Sequence, residues 1–197
     1  MVAVCLFYEW FRGRINRIVV LFALLYIFDK KFSVKTYIIL RHAKSDWSNL
    51  YLPDFDRELN ERGLHDAPMM GKRLLQRNIP IDYILSSTAK RAAQTAQAVA
   101  AQIGIEENRI RYSDDLYHAA PDTISDHLMT IENNIERVLL ICHNPGITYF
   151  VNQQCGHITY NVPTCGMIAF ELESEDWSQF LTANKRLLFY DFPKNQA

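Results

Sequence analysis

Two arginines and two histidines, far apart in the sequence, are the residues best suited to chemistry in this chain. Arg41 and His42 directly follow the apolar run YIIL, and His143 directly follows the apolar run VLLIC. Arg91 comes shortly after a third apolar run, YIL, in an alanine-rich segment. Taken singly, each of them also fits a surface, helix or turn residue. Because the three motifs contain no carboxylate, their combination predicts a site for an anion.

The chemistry of these side chains favours phosphate as the anion. A guanidinium group presents a planar fork of donors that can hold two phosphate oxygens at once, and this chain offers two such groups. Helices that start near Ser87 and Gly146 would add backbone N–H groups to the same site. The residues therefore predict a crevice that binds a phosphoryl group.

The elements that must position these residues alternate between strands and helices. Short apolar runs bounded by polar residues predict strands, and apolar residues at helical spacing predict helices. The predicted helix around residues 60–77 places Leu64, Ala67, Met70, Leu74 and Leu75 on one face. The predicted strands are residues 37–40, 83–85, 109–112, 138–142, 167–172 and 186–190. The predicted helices are residues 60–77, 90–103, 123–131 and 146–154.

This alternation predicts an α/β fold, a three-layer α/β/α sandwich with a mostly parallel sheet. In such sheets the site lies beyond the carboxyl ends of the strands. The segments after Leu40, Leu85 and Cys142 should therefore meet at one edge of the sheet. Between Asp114 and Val138 there is room for one short helix, so we expect no large lid over the crevice.

The motifs resemble those of the histidine phosphatase superfamily. The similarity consists of Arg-His after the first strand, S-x-x-x-R-x-x-Q-T after the second and the His of HNPG after VLLIC. The runs RHAKSDW and DFDRELNERG resemble SixA-like phosphohistidine phosphatases more closely. The similarity begins near Thr36, which divides the chain into an N-terminal extension, 1–35, and a histidine phosphatase domain, 36–197, with a phosphoglycerate mutase-like fold.

The resemblance implies a role for each of the four residues. His42 would be the nucleophile and would become phosphorylated, Arg41 and Arg91 would hold the phosphoryl oxygens, and His143 would stabilise the transition state. An imidazole with its ordinary pKa near 6.5 is largely neutral at pH 7, which fits nucleophilic attack. We expect a backbone carbonyl to fix the tautomer of His42 through its other ring nitrogen. Neither a metal nor a cofactor is implied, because the arginines supply the charge.

Further candidates surround these residues. Lys44, Ser45 and Asn144 are candidate phosphate ligands, although Lys44 also fits a surface lysine and Asn144 a helix cap. Asp115 and His118 are both candidates for the general acid that phosphatases of esters use, and each also fits a loop or helix-cap residue. Imidazole leaves more easily than an alkoxide, so the lack of an evident acid favours a substrate with an N–P bond.

Composition narrows the function further. The 197 residues are 49% hydrophobic and 22% charged with a net charge of −1, which predicts a globular domain and argues against nucleic-acid binding. The four cysteines form neither a zinc motif nor a disulfide framework, which favours the cytoplasm. Three arginines before the apolar run 18–28 leave membrane contact through the N-terminus open, although the run is shorter than a bilayer span.

The sequence is consistent with more than one function. The leading hypothesis is a metal-independent phosphatase that removes phosphate from phosphohistidine in a protein. The first alternative is a phosphatase of small phosphate esters, which would use the same residues. The second is a phosphate-binding module that regulates a partner without turnover, and the third is a membrane-attached interaction protein that depends on the N-terminal segment.

Overall fold

The structure is a computed structural model that describes residues 34–195. The predicted extension 1–35, and with it the predicted membrane contact, lies outside the described residues except for Val34 and Lys35. Lys35 is already the first residue of a strand. Within the described part of the chain, no helix is both long and apolar enough to cross a membrane.

A six-stranded sheet forms the middle layer, in the order β3-β2-β4-β1-β5-β6. The strands are β1 (Lys35–Arg41), β2 (Tyr83–Ser87), β3 (Ile110–Ser113), β4 (Arg137–Cys142), β5 (Met167–Leu172) and β6 (Lys185–Asp191). The first four pair in parallel, and β5 and β6 close one side as antiparallel strands. The sheet is therefore mostly parallel, as the unbroken apolar runs predict.

Helices cover both faces of the sheet and complete the predicted three-layer α/β/α sandwich. They are α1 (Glu61–Gln76), α2 (Lys90–Ile103), α3 (Pro121–Met129) and α4 (Gly146–Cys155). Alternate residues of β1 point to opposite faces: Ile38 packs in the core with α1 and α2, and Ile39 in the core with α3 and α4. The segment between β3 and β4 holds α3 and a short 3₁₀ helix but no larger insertion.

The apolar face predicted for α1 is wrong at two positions. Ala67, Met70 and Leu74 are buried as predicted, but Leu64 and Leu75 are 59% and 53% exposed. The helix packs closely on α2, with Gly71 against Val99 and Gln102, so its buried stripe is narrower than the apolar residues suggest.

The register of the parallel strands brings the predicted site together. Arg41 lies beside Cys142 across the β1–β4 pair, and Ser86 lies beside Ile141 across the β2–β4 pair. His42 and His143, each one residue further along, therefore leave the sheet at the same level, and Ser87 ends β2 at the level of Cys142. The chain reverses beyond them, so all three lie at the carboxyl edge where the fold rule places a site.

Candidate active site

His42 lies at the floor of this edge and is held in one orientation. Its side chain is buried, and its Nδ1 lies 2.7 Å from the carbonyl oxygen of Ala43. A carbonyl only accepts hydrogen bonds, so Nδ1 carries the ring hydrogen and Nε2 carries the lone pair. This arrangement is the tautomer expected from the sequence, and it leaves Nε2 with a lone pair that faces the crevice.

Arg91 joins the two histidines through one edge of its guanidinium group. Its Nε donates to Nε2 of His42 at 3.2 Å, and its Nη2 lies 3.2 Å from Nδ1 of His143. Arg91 sits in the first turn of α2 and is 97% buried, because α2 starts where β2 ends. The donor edge formed by Nε and Nη2 thus faces the space between the two imidazoles.

His143 completes the floor from the end of β4. Its ring centroid lies 4.8 Å from that of His42, and its Nε2 lies 2.9 Å from the hydroxyl oxygen of Ser87. Since Nδ1 accepts from Arg91, Nε2 carries the hydrogen and donates to Ser87. The sequence predicted no side-chain role for Ser87, although its place at the carboxyl end of β2, at the same edge of the sheet as His143, was the available signal.

Arg41 supplies a second cation to the same floor. Its Nη1 donates to the carbonyl oxygen of Val162 at 2.7 Å, whereas its Nε is buried without a hydrogen-bond partner among residues 34–195. Burial lowers the pKa of Arg41, and the nearby positive charge of Arg91 lowers it further. Two guanidinium groups held this close create a positive potential that an anion would relieve.

Both histidines are neutral in the folded protein. Burial is the main reason that the pKa of His42 falls to about 3; the Ala43 carbonyl opposes this shift and the two arginines reinforce it. Burial likewise lowers the pKa of His143 to about 2, with His42 and Arg91 adding to the effect. Neutral rings keep their lone pairs at any physiological pH, so both imidazoles remain able to accept a hydrogen bond.

These lowered pKa values predict that the protein loses stability in acid. An unfolded histidine takes up a proton below about pH 6.5, but buried His42 does so only near pH 3. Over this window the unfolded state binds more protons, so the free energy of unfolding falls by roughly 1 kcal/mol per pH unit for such a group. Urea unfolding from pH 7 to pH 4 should therefore show a shallower pH dependence for His42→Gln than for the natural protein. His65→Gln, at an exposed histidine, should keep the natural slope; identical slopes for all three proteins would contradict the prediction.

A carboxylate that the sequence analysis assigned no role borders the site from a loop. Asp54 belongs to a 3₁₀ helix, Asp54–Asp56, and accepts from Arg91 through both its backbone carbonyl and its Oδ2, the latter at 2.8 Å. The hydroxyl of Tyr117 donates to the same Oδ2 at 2.8 Å, and Nε2 of His118 lies 3.6 Å from it. Asp54 therefore binds the outer edge of the guanidinium, Nη1 and Nη2, which shares Nη2 with the edge that faces the histidines.

The other predicted phosphate ligands have structural contacts in this arrangement. The hydroxyl oxygen of Ser45 accepts from the indole of Trp47 at 3.0 Å. The backbone carbonyl of half-buried Lys44 accepts from Asn60 at the start of α1. The side-chain amide of Asn144 donates to Asn161 and Val162 and accepts from the hydroxyl of Thr148, so it ties α4 to a neighbouring loop. The helix itself starts after Pro145, not after Asn144 as a cap would require.

The two predicted acid candidates lie in different places. His118 borders the site, with its ring centroid 5.7 Å from that of His143. Asp115 instead lines a separate cavity beside Arg111 and His127. Asp115 lies within the short 3₁₀ helix Asp114–Leu116 and His118 follows it. The turn of this helix therefore directs the two side chains to different places. Within residues 34–195, no three His, Cys, Asp or Glu side chains are grouped to hold a metal ion.

Fold and site together define a class of protein. It is an α/β sandwich with a neutral, oriented histidine at the carboxyl edge of its sheet, and two arginines and a second histidine surround that ring. Residues 37–117 match the histidine phosphatase superfamily, branch 1. An uncharacterised protein of Mycobacterium leprae is 29% identical over 79% of this chain and 100% of its own length.

Solved structures agree with this match. A protein of Agrobacterium tumefaciens, provisionally named phosphohistidine phosphatase SixA, is 30% identical with a TM-score of 0.66 over 81% of this chain and 99% of its own. The protein histidine phosphatase SixA complexed with tungstate shares the fold at 22% identity, with a TM-score of 0.68 over 80% of this chain and 97% of its own. The chain belongs to the histidine phosphatase superfamily, as a SixA-like hydrolase.

Proposed function

We propose that this protein removes the phosphoryl group from phosphohistidine in a partner protein, by way of a phosphorylated His42. The observation that carries the proposal is the state of His42: Nδ1 is bound to the Ala43 carbonyl, and Nε2 points its lone pair at the donor edge of Arg91, 3.2 Å away. A nucleophile that lies against a cation suits an anionic electrophile such as a phosphoryl group.

The reaction takes place in two displacements. Nε2 of His42 attacks phosphorus, the N–P bond to the enzyme forms, and the bond to the leaving group breaks on the opposite side. Arg41 and Arg91 bind the equatorial oxygens, where the charge of the transition state is spread. Water then attacks phosphorus, the bond to Nε2 breaks, and inorganic phosphate leaves. The arginines provide the positive charge that both steps need, so the proposed reaction requires no metal ion.

A protein substrate is favoured by the surface around the pocket. Residues 47–55, which we call the rim loop, carry Asp54 at the pocket and expose several large apolar side chains. Those of Leu50 and Tyr51 are 77% and 99% exposed. Exposed apolar groups gathered on one loop are typical of surfaces that bind another protein. The absence of a lid insertion between β3 and β4 leaves room for such a partner.

Phosphohistidine is the phosphorylated residue that this site suits best. The leaving imidazole is far less basic than an alkoxide, so its departure demands less from a proton donor. The groups at the mouth of the pocket are partly exposed, and one of them, Asp54, is an ionised carboxylate without a proton to give. Such a mouth suits a leaving group, such as imidazole, that demands little from a proton donor. The provisional name of the A. tumefaciens relative supports the same substrate.

A hydrolysis panel tests the proposal. The protein is given a phosphohistidine-containing protein, phosphoramidate, an aryl phosphate and a sugar phosphate, each with a chelator present. We expect turnover to persist in the chelator, and kcat/KM for the phosphohistidine protein to exceed that for either ester by at least about tenfold. Equal or better efficiency on a simple ester would instead identify a phosphomonoesterase.

The rim loop yields a prediction about the partner protein. Leu50→Ser should lower kcat/KM for the phosphohistidine protein by about tenfold, because burying a leucine at an interface contributes about 1.5–3 kcal/mol. Hydrolysis of p-nitrophenyl phosphate, which brings no protein surface for Leu50 to contact, should remain unchanged. Leu75→Ser is the matched control, since Leu75 is also exposed but lies at the end of α1 remote from Lys44 and the pocket. Equal losses for both variants, or for both substrates, would argue against docking on the rim loop.

A further inference from the structure

The leaving group must receive a proton at the mouth of the pocket. In-line displacement expels it on the side of phosphorus opposite to His42, away from the sheet. Three polar side chains meet there: Asp54 from the rim loop, and Tyr117 and His118 from the segment after β3. Tyr117 packs edge-on against His143 at 5.4 Å and against Phe55 at 5.1 Å, so it connects the rim loop to the pocket floor.

Asp54 is an acceptor in this group and not the acid. Burial alone would raise the pKa of Asp54, but the hydrogen bond from Tyr117 and the positive charge of Arg91 outweigh burial, and the pKa is lowered overall. The carboxylate is thus ionised at neutral pH and has no proton to give. Its Oδ2 accepts at 2.8 Å from both Arg91 and Tyr117, which fixes it beside the imidazole of His118.

His118 is the side chain at the mouth that is placed to exchange protons. Its backbone has a φ of 52°, in the left-handed region of backbone conformations. The turn directs the rings of Tyr117 and His118 toward the same carboxylate, and the centroids of the two rings are 4.2 Å apart. With 52% of its side chain exposed, His118 can reach both a leaving group and bulk water.

We infer that His118 donates the proton to the leaving group and that Asp54 is the positioning residue that holds both His118 and Arg91. This inference depends on the proposed phosphatase reaction. In the first displacement the protonated ring of His118 gives its proton to the departing atom as the bond to phosphorus breaks. In the second, neutral His118 takes a proton from the attacking water as the bond from phosphorus to His42 breaks. The proton is thereby returned, and each turnover leaves the pair as it began.

A series of leaving groups provides the test. His118→Asn is the informative variant, because asparagine tolerates a positive φ and has no titrating group. We expect kcat/KM for phenyl phosphate, whose leaving group is about as basic as a tyrosine phenolate, to fall by about 100-fold. For p-nitrophenyl phosphate, whose leaving group needs little proton transfer, kcat/KM should fall by less than about threefold. A structural defect would lower both rates by the same factor.

Asp54→Asn and a control variant complete the test. Asp54→Asn should lower kcat/KM for both substrates, because Arg91 loses its charged partner. The loss should be larger for phenyl phosphate than for p-nitrophenyl phosphate, as in His118→Asn. Asp56→Asn, at an exposed carboxylate of the same 3₁₀ helix, should behave like the natural protein. A uniform loss across leaving groups in His118→Asn, with His42 still phosphorylated by substrate, overturns this inference alone. Failure of the natural protein to phosphorylate His42 overturns the proposed function as well.

Discussion

Replacing His42 by asparagine is expected to reduce phosphatase activity by about 10⁴-fold or more, with the fold intact. Loss of a covalent nucleophile has effects of this size in enzymes whose remaining groups still bind substrate. The asparagine amide is polar and fits the buried position, but it has no lone pair able to attack phosphorus. Steady-state rates with the phosphohistidine protein and with p-nitrophenyl phosphate measure the loss, and thermal unfolding shows whether the variant is folded.

The intermediate itself distinguishes a nucleophile from a phosphate ligand. The natural protein, mixed with ³²P-labelled substrate and quenched in base, should carry a label that mild acid removes, as expected for a phosphorylated imidazole. His42→Asn should carry none, whereas His65→Asn, which changes an exposed histidine on α1, should label normally. Undiminished turnover or labelling in His42→Asn would refute the mechanism, and a phosphate-binding module without turnover would show no label in any protein.

Replacing Arg91 by lysine is expected to have the second largest effect, a loss of about 10²- to 10³-fold in kcat/KM. Lysine keeps the positive charge but offers a single point of contact where arginine offers a planar fork. One guanidinium here contacts His42, His143 and Asp54. A lysine ammonium cannot reach all three, so the transition state loses an oriented donor pair, which accounts for the expected magnitude.

The binding of a simple anion shows how Arg91 acts. Inorganic phosphate, used as a competitive inhibitor, should bind Arg91→Lys about tenfold more weakly, since the anion loses the bidentate contact. Arg62→Lys is the control, because Arg62 is half exposed and pairs with Asp66 on α1. Unchanged phosphate inhibition together with unchanged kcat/KM in Arg91→Lys would show that the fork does not contact the phosphoryl group.

The contacts of Arg91 show how one guanidinium group both pairs with Asp54 and faces the space between the two imidazoles. Its inner edge, Nε and Nη2, faces the two imidazoles, and its outer edge, Nη1 and the same Nη2, is bound by Asp54. The carboxylate partly neutralises the guanidinium and fixes its plane, which prepares the inner edge for oxygen atoms. Among residues 34–195, Arg41 has no such carboxylate partner, and its Nε is buried without a hydrogen bond. Arg41 is therefore the cation that an incoming phosphoryl group would neutralise.

The sequence by itself determined the fold and the floor of the site. Unbroken apolar runs in alternation with helical periodicity are a local property of the chain, and they predict a mostly parallel sheet with helices on both faces. In such a sheet the carboxyl ends of the strands lie at one edge, so residues just beyond them must converge. His42, Arg91 and His143 could therefore be placed together without coordinates, because strand register fixes their positions.

Only the tertiary structure decided the mouth of the site and the surface of α1. Asp54 reaches Arg91 from a loop, and no strand or helix periodicity fixes where a loop carboxylate points. His118 and Asp115 are close in sequence, yet a 3₁₀ turn sends one to the pocket and the other to a separate cavity. Leu64 and Leu75 match an apolar stripe, but which part of that stripe is buried depends on how closely α1 approaches α2. These features depend on contacts between distant segments, which periodicity and motif spacing do not encode.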